Sequence, residues 1–110
     1  MVAQLIEVTD ENFEETILRG DRLALLDFGA EWCTPCKKVH AMLRELLPDW
    51  GEKVVIGELD ISSSPKTAER YGVVNIPQVL FFKNGQHVET IVGVLPKAKL
   101  VEKIKNHLGP

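Results

Sequence analysis

The chain has 110 residues, 45% of them hydrophobic and 26% charged, with 13 Lys and Arg against 16 Asp and Glu and a formal net charge of -3. That length suits a single domain over residues 1–110, and the composition is that of a globular fold, which excludes disordered, collagen-like and coiled-coil chains. No basic run exceeds Lys37-Lys38, which argues against nucleic-acid partners. No apolar stretch approaches the roughly 20 residues of a membrane-spanning helix, and the N-terminal segment lacks the basic flank and apolar core of an export signal, so a cytoplasmic monomer is expected.

Leu5 to Val8 is a short strand-like run, and Thr9 or Asp10 after it can cap a helix by accepting bonds from the free amides of its first turn. That helix is expected over residues 11–19, with Phe13, Ile17 and Leu18 as its apolar positions and Gly20 ending it. Residues 23–28 form an apolar run broken only by Asp27, the pattern of a strand covered on both faces. Cys36, Val39, Leu43, Leu46, Leu47 and Trp50 recur at helical spacing, which predicts an amphipathic helix over residues 36–50 with Pro35 suited to its start. A strand over residues 53–61, a turn at residues 62–65 and a short helix through Tyr71 follow, ended by Gly72. Asn84-Gly85, between strand-like residues 78–83 and 87–92, signals a hairpin, and Leu100, Val101, Ile104 and Leu108 give residues 97–108 one apolar helical face. Strands joined through helices pair in parallel and a hairpin pairs antiparallel, so this order of five strands and four helices predicts an α/β sandwich around a mixed sheet.

The chain's two cysteines, Cys33 and Cys36, stand three positions apart directly after the apolar strand and at the start of a helix. A lone close pair cannot staple a small fold, so its spacing points to chemistry. At the positive end of the helix dipole, near free backbone amides, the first thiol is favoured as thiolate, which makes Cys33 the nucleophile. Cys36, on the inner side of the first helical turn, is placed to resolve a mixed disulfide formed at Cys33. The competing reading is a zinc half-site with His40 as third ligand, for which no fourth ligand is evident.

Four blocks carry a resemblance to a known family. Asp27-Phe28 followed by Ala30-Glu31-Trp32-Cys33-Thr34-Pro35-Cys36-Lys37, then Tyr71-Gly72-Val73 and Asn75-Ile76-Pro77, then Phe81-Phe82-Lys83-Asn84-Gly85, and finally Gly93, come in the order found in thioredoxins. The chain resembles the thioredoxin family over nearly its whole length. The resemblance implies the thioredoxin fold, a three-layer α/β/α sandwich, and a protein thiol-disulfide oxidoreductase that reduces substrate disulfides. It implies a cis peptide before Pro77, a backbone at Ile76 that pairs with an extended substrate, and a substrate groove bordered by Gly93 and Trp32. No cofactor is bound, the Cys33-Cys36 disulfide being itself the redox group. Electrons would come from a thioredoxin reductase, either an NADPH-dependent flavoprotein or a ferredoxin-linked enzyme. The chain departs from the usual pattern at Thr34, Gly29, Ala41 and Gln78, where glycine, tryptophan, proline and threonine are common. Because residues between the cysteines set redox poise, Thr34 and Pro35 are expected to tune the site.

Asp27 is the anomaly of its strand. A carboxylate among apolar neighbours is costly without a partner or a task, and burial raises its proton affinity toward working pH, which suits it to accept the proton that Cys36 loses. Glu58 falls at the strand position where many bacterial thioredoxins resemble one another in placing a lysine beside that aspartate. A second carboxylate there would raise the proton affinity of Asp27 further. His40 lies four residues after Cys36, on nearly the same helical face, and is expected to pair with Glu58 in place of the lysine. Glu31, Lys37 and Lys38 read as a solvated rim, and His87 and His107 as solvent-facing residues. Two other functions fit the same motif: a thioredoxin-fold binding subunit in which the redox pair is incidental, and a thiol oxidase or isomerase.

Overall fold

The computed structural model describes residues 5–109, so the first four residues of the N-terminal segment lie outside the described residues. The apolar run around Asp27 becomes the middle strand of a five-stranded sheet. In chain order the strands are β1 (Ile6–Glu7), β2 (Leu23–Gly29), β3 (Val54–Asp60), β4 (Gln78–Lys83) and β5 (Gln86–Val92), lying side by side as β1-β3-β2-β4-β5. β3 pairs in parallel with both β1 and β2, while β4 runs antiparallel to β2 and β5. The hairpin between β4 and β5 turns through Asn84 and Gly85, whose φ angles of 52° and 78° are those that match a tight turn to the twist of its strands.

Helices α1 (Thr34–Trp50), α2 (Pro65–Arg70) and α3 (Lys97–Leu108), with a π-helical turn at Glu14–Leu18, cover the two faces of the sheet. Alternate residues of each strand point to opposite faces. Leu23 and Leu25 therefore pack with Val39 and Leu43 of α1 and Leu100 and Ile104 of α3. Leu26 and Phe28 pack instead with Phe13, Ile17 and Ala68 on the other side. The result is the three-layer sandwich.

The first helix is shorter than its apolar spacing predicts and is π rather than α. Thr9 and Asn12 cap each other, the Thr9 amide donating to Asn12 Oδ1 at 2.8 Å and the Asn12 amide to Thr9 Oγ1 at 3.3 Å. The last turn then closes with the Arg19 amide on the Glu14 carbonyl, five residues back, at 2.9 Å. Asp10, the other capping candidate, serves a different helix. Its Oδ1 accepts from the amide and hydroxyl of Thr67, both at 2.8 Å, and its Oδ2 from the Lys66 amide at 3.1 Å. Burial works to raise the proton affinity of Asp10, but these bonds to Thr67 and Lys66 and the Lys66 charge outweigh it and hold the carboxyl below its usual range.

His107 is not solvent-facing. Its Nε2 and the Lys103 ammonium both contact the carboxylate of Glu89 on β5, and its ring packs on Phe81 with centroids 5.4 Å apart. His87 is exposed but stacks edgewise on Tyr71 and lies against Phe82. Partial burial raises the proton affinity of Glu89, yet the bonds and charges of Lys103 and His107 lower it by more, so the carboxyl sits below its ordinary value. A depressed carboxyl stabilises the fold above the unfolded-state pKa, and that contribution is lost as pH falls through the folded one. Glu89→Gln is therefore expected to lower the melting temperature at pH 7 by a few degrees, about 1 kcal/mol, with the difference from wild type vanishing in acid. Thermal melts of both proteins across that pH range check it.

Candidate functional site

The sheet delivers the cysteines at the end of its middle strand. β2 stops at Gly29, a tight turn follows in which the Cys33 amide donates to the Ala30 carbonyl at 3.1 Å, and α1 begins at Thr34 with Cys33 as its N-cap. The helix thus starts two residues earlier than its apolar spacing predicts, because Cys33 Sγ itself accepts the Cys36 amide at 3.3 Å and so caps the first turn. Cys33 and Cys36 form a disulfide, with Cα atoms 5.3 Å apart. Both are buried, whereas Trp32 beside them is 72% exposed. Gly29 packs closely on the pair: a Cβ there would stand 3.2 Å from Cys36 Cβ, which a larger residue would displace by a few tenths of an ångström. Thr34 and Pro35 are exposed on the first turn of α1.

A second segment comes from the other side of β2. The Ile76-Pro77 peptide is cis, and the Gly93 amide donates to the Pro77 carbonyl at 2.9 Å, with Gly93 at a φ of 83° that favours glycine. The Gln78 side chain donates to the Asn75 carbonyl at 2.8 Å and so ties down the loop before the proline. Val74, Val92 and Val94, chain neighbours of Ile76 and Gly93, are exposed apolar residues that the sequence pattern did not single out. Their position next to the residues expected to border a substrate groove was the available signal.

Behind the disulfide, Asp27, Cys36, His40 and Glu58 line one open cleft. Asp27 is 3% exposed, and its Oδ1 has no hydrogen-bond partner. Burial, and secondarily the charge of Glu58, pushes its carboxyl up from 3.8 to about 7. Glu58 is the register partner of Asp27 on β3. His40 Nδ1 makes an ion-pair contact with Glu58 Oε2, both side chains remaining about one-third exposed at 30% and 37%. Glu7 and Asp60 also reach this cleft. Asp60 was findable, since it lies two residues after Glu58 and hence on the same strand face. Glu7 was not, because its place depends on how β1 docks.

The family model described as Thioredoxin matches residues 4–106 of this chain. The chain belongs to the thioredoxin family. It is 39% identical to Thioredoxin 2 of Chlorobaculum tepidum over 109 residues, covering 99% of this chain and all of that protein. It is 41% identical to a thioredoxin of Rhodospirillum rubrum over 90% of this chain and 95% of the relative, and 41% identical to one of Staphylococcus saprophyticus over 94% and 98%. Together with the cysteine pair joined at the start of α1, this makes the chain a thiol-disulfide oxidoreductase of the thioredoxin type. Its disulfide is the redox group, with Thr34 and Pro35 between the cysteines.

Proposed function

We propose that this thioredoxin-family protein works in the reducing direction on protein disulfides, as a single-domain monomer in the cytoplasm. The observation that carries the reading is the asymmetry of the two sulfurs about the helix start. Cys33 is the N-cap, its sulfur accepting the Cys36 amide at the positive end of α1, while Cys36 is inside the first turn. Reduced Cys33 is favoured as thiolate there, an effect for which thioredoxins are a known case. Its sulfur attacks one sulfur of the substrate disulfide, forming a mixed disulfide and releasing the other substrate sulfur as a thiolate. Asp27 takes the Cys36 proton; the Cys36 thiolate then attacks Cys33, releasing the second substrate thiolate and leaving the Cys33-Cys36 disulfide. Two electrons pass to the substrate. Trp32, Ile76 and Gly93 form the substrate groove, with Val74, Val92 and Val94 extending its apolar surface.

The electrons that restore the dithiol come from a thioredoxin reductase, flavoprotein or ferredoxin-linked. Thr34, Pro35 and Pro77 tune the potential. Equilibration with glutathione buffers tests the direction: a pair that remains a disulfide when glutathione is almost wholly reduced is the stronger reductant, as this reading requires. Reduction of the pair by modest ratios of reduced to oxidised glutathione would instead mark an oxidase or isomerase.

His40 and Glu58 set the charge beside Asp27. An imidazole offsets the Glu58 charge only when it carries a proton, whereas a lysine ammonium is a permanent counter-charge at neutrality. His40→Ala should move the pH-rate profile of disulfide reduction up, by leaving Glu58 unopposed beside Asp27, and His40→Lys should move it down. Profiles for the three proteins between pH 6 and pH 8 decide this; coincident curves would remove His40 from the mechanism.

A further inference from the structure

The register of the sheet puts three carboxylates in a row. Glu7 on β1 is paired with Glu58 on β3, and Glu58 with Asp27 on β2. Register partners on neighbouring strands lie on one face, about 4.8 Å apart, so the row extends about 10 Å. It runs from exposed Glu7 through half-buried Glu58 to the nearly inaccessible Asp27. Like charges directly opposite each other across strands are destabilising, and among the described residues the one ion pair on this row is that of His40 with Glu58.

The row opens into a cleft of about 780 Å³, a size suited to a small molecule. Five carboxylates line it, the row together with Glu31 and Asp60, against two basic side chains, Lys37 and His40. Asp27 lines the same cleft, more than nine-tenths buried, with Oδ1 lacking any hydrogen-bond partner. A buried carboxyl short of donors is costly to ionise, and a positive charge in the cleft beside it offsets both that cost and the repulsion along the row.

The lining selects the donor. Among the described residues no group of three or more His, Cys, Asp or Glu side chains is arranged to hold a metal ion. An ammonium donates three hydrogen bonds, and the apolar parts of the lining, Val8, Ala30 and Leu59, suit methylene groups. We propose that the Glu7-Glu58-Asp27 row is a binding site for alkylammonium groups, and that its ligand presents two of them about 5 to 10 Å apart. A free polyamine has this chemistry, and so do two lysine side chains of a docked protein.

Titration of the oxidised chain with spermidine, followed by NMR of the backbone amides and the Asp27 carboxyl carbon, tests the proposal. The expected result is saturable shifts confined to the cleft, and an Asp27 titration midpoint lowered by about one pH unit as the cation settles beside it. Glu7→Gln combined with Glu58→Gln should weaken binding about tenfold, as the loss of two ion-pair contacts does, whereas Glu102→Gln, which removes a charge on α3, should leave it unchanged. A parallel titration with the peptide acetyl-Lys-Gly-Lys-amide separates the two sources: tighter binding of spermidine assigns the site to a free polyamine, tighter binding of the peptide to lysines of a partner protein. The proposal is overturned if neither probe saturates, if Glu102→Gln weakens binding as much as the double variant, or if the wild-type Asp27 midpoint stays where it is.

Discussion

Cys36→Ser is expected to accumulate mixed disulfides through Cys33, and Cys33→Ser to lose disulfide reduction by about three orders of magnitude or more without trapping any substrate. The expectation follows from the helix start. Cys33 caps α1 from outside, where the Cys36 amide and the helix dipole favour its thiolate, and it adjoins the exposed Trp32. Cys36 is inside the first turn, and Asp27, the proposed acceptor of its proton, lines the same cleft. Removing Cys36 leaves the first exchange intact and stops the second, so the intermediate persists. Non-reducing electrophoresis of each variant after exposure to disulfide-bearing proteins, with mass spectrometry of the linked residue, reads the outcome directly. Adducts at Cys36 in the Cys33→Ser protein would reverse the assignment.

Asp27→Ala should raise the melting temperature by roughly 10 °C at pH 8 and slow disulfide turnover by about tenfold or more at neutral pH. Burial first and Glu58 second push the folded carboxyl from 3.8 to about 7. A raised carboxyl contributes favourably in full below the unfolded-state pKa, and that contribution is lost as pH rises through about 7. A gap of about three pH units corresponds to about 4 kcal/mol lost at alkaline pH. Truncation to alanine forfeits about 1 to 2 kcal/mol of packing, which leaves a net gain of about 2 kcal/mol. At pH 4 the gain should disappear or reverse. Calorimetry at both pH values checks the stability, and a variant that melts lower at pH 8, or turns over normally, would show that Asp27 is neither strained nor part of the proton transfer.

Local chemistry made much of this legible in advance. The apolar run around Asp27 reads as a strand covered on both faces, and the spacing from Cys36 to Trp50 as an amphipathic helix; both recur in β2 and α1. Asn84-Gly85 marked its hairpin because few other pairs tolerate positive φ at both positions. Cys33 and Cys36 pointed to redox chemistry through their spacing at a helix start, and the family resemblance of the four blocks made that reading specific. Helix ends were less legible, since caps depend on single side chains. The sequence could not show that Thr9 would cap with Asn12 while Asp10 crossed to the amides of Lys66 and Thr67.

By itself, then, the sequence determined the strands and helices, the reactive pair and the anomaly of a carboxylate in a buried strand, because these rest on periodicity and on neighbours a few residues apart. Only the tertiary structure decided which groups surround that carboxylate. Asp27, Glu58 and Glu7 share a row solely because β3 lies between β1 and β2 in one register, and a slip of one residue would turn each side chain to the opposite face. The same holds for His107, whose place against Phe81 and Glu89 depends on how α3 docks on β4 and β5. Contacts between residues far apart in the chain follow from sheet order and helix docking, and no local pattern records them.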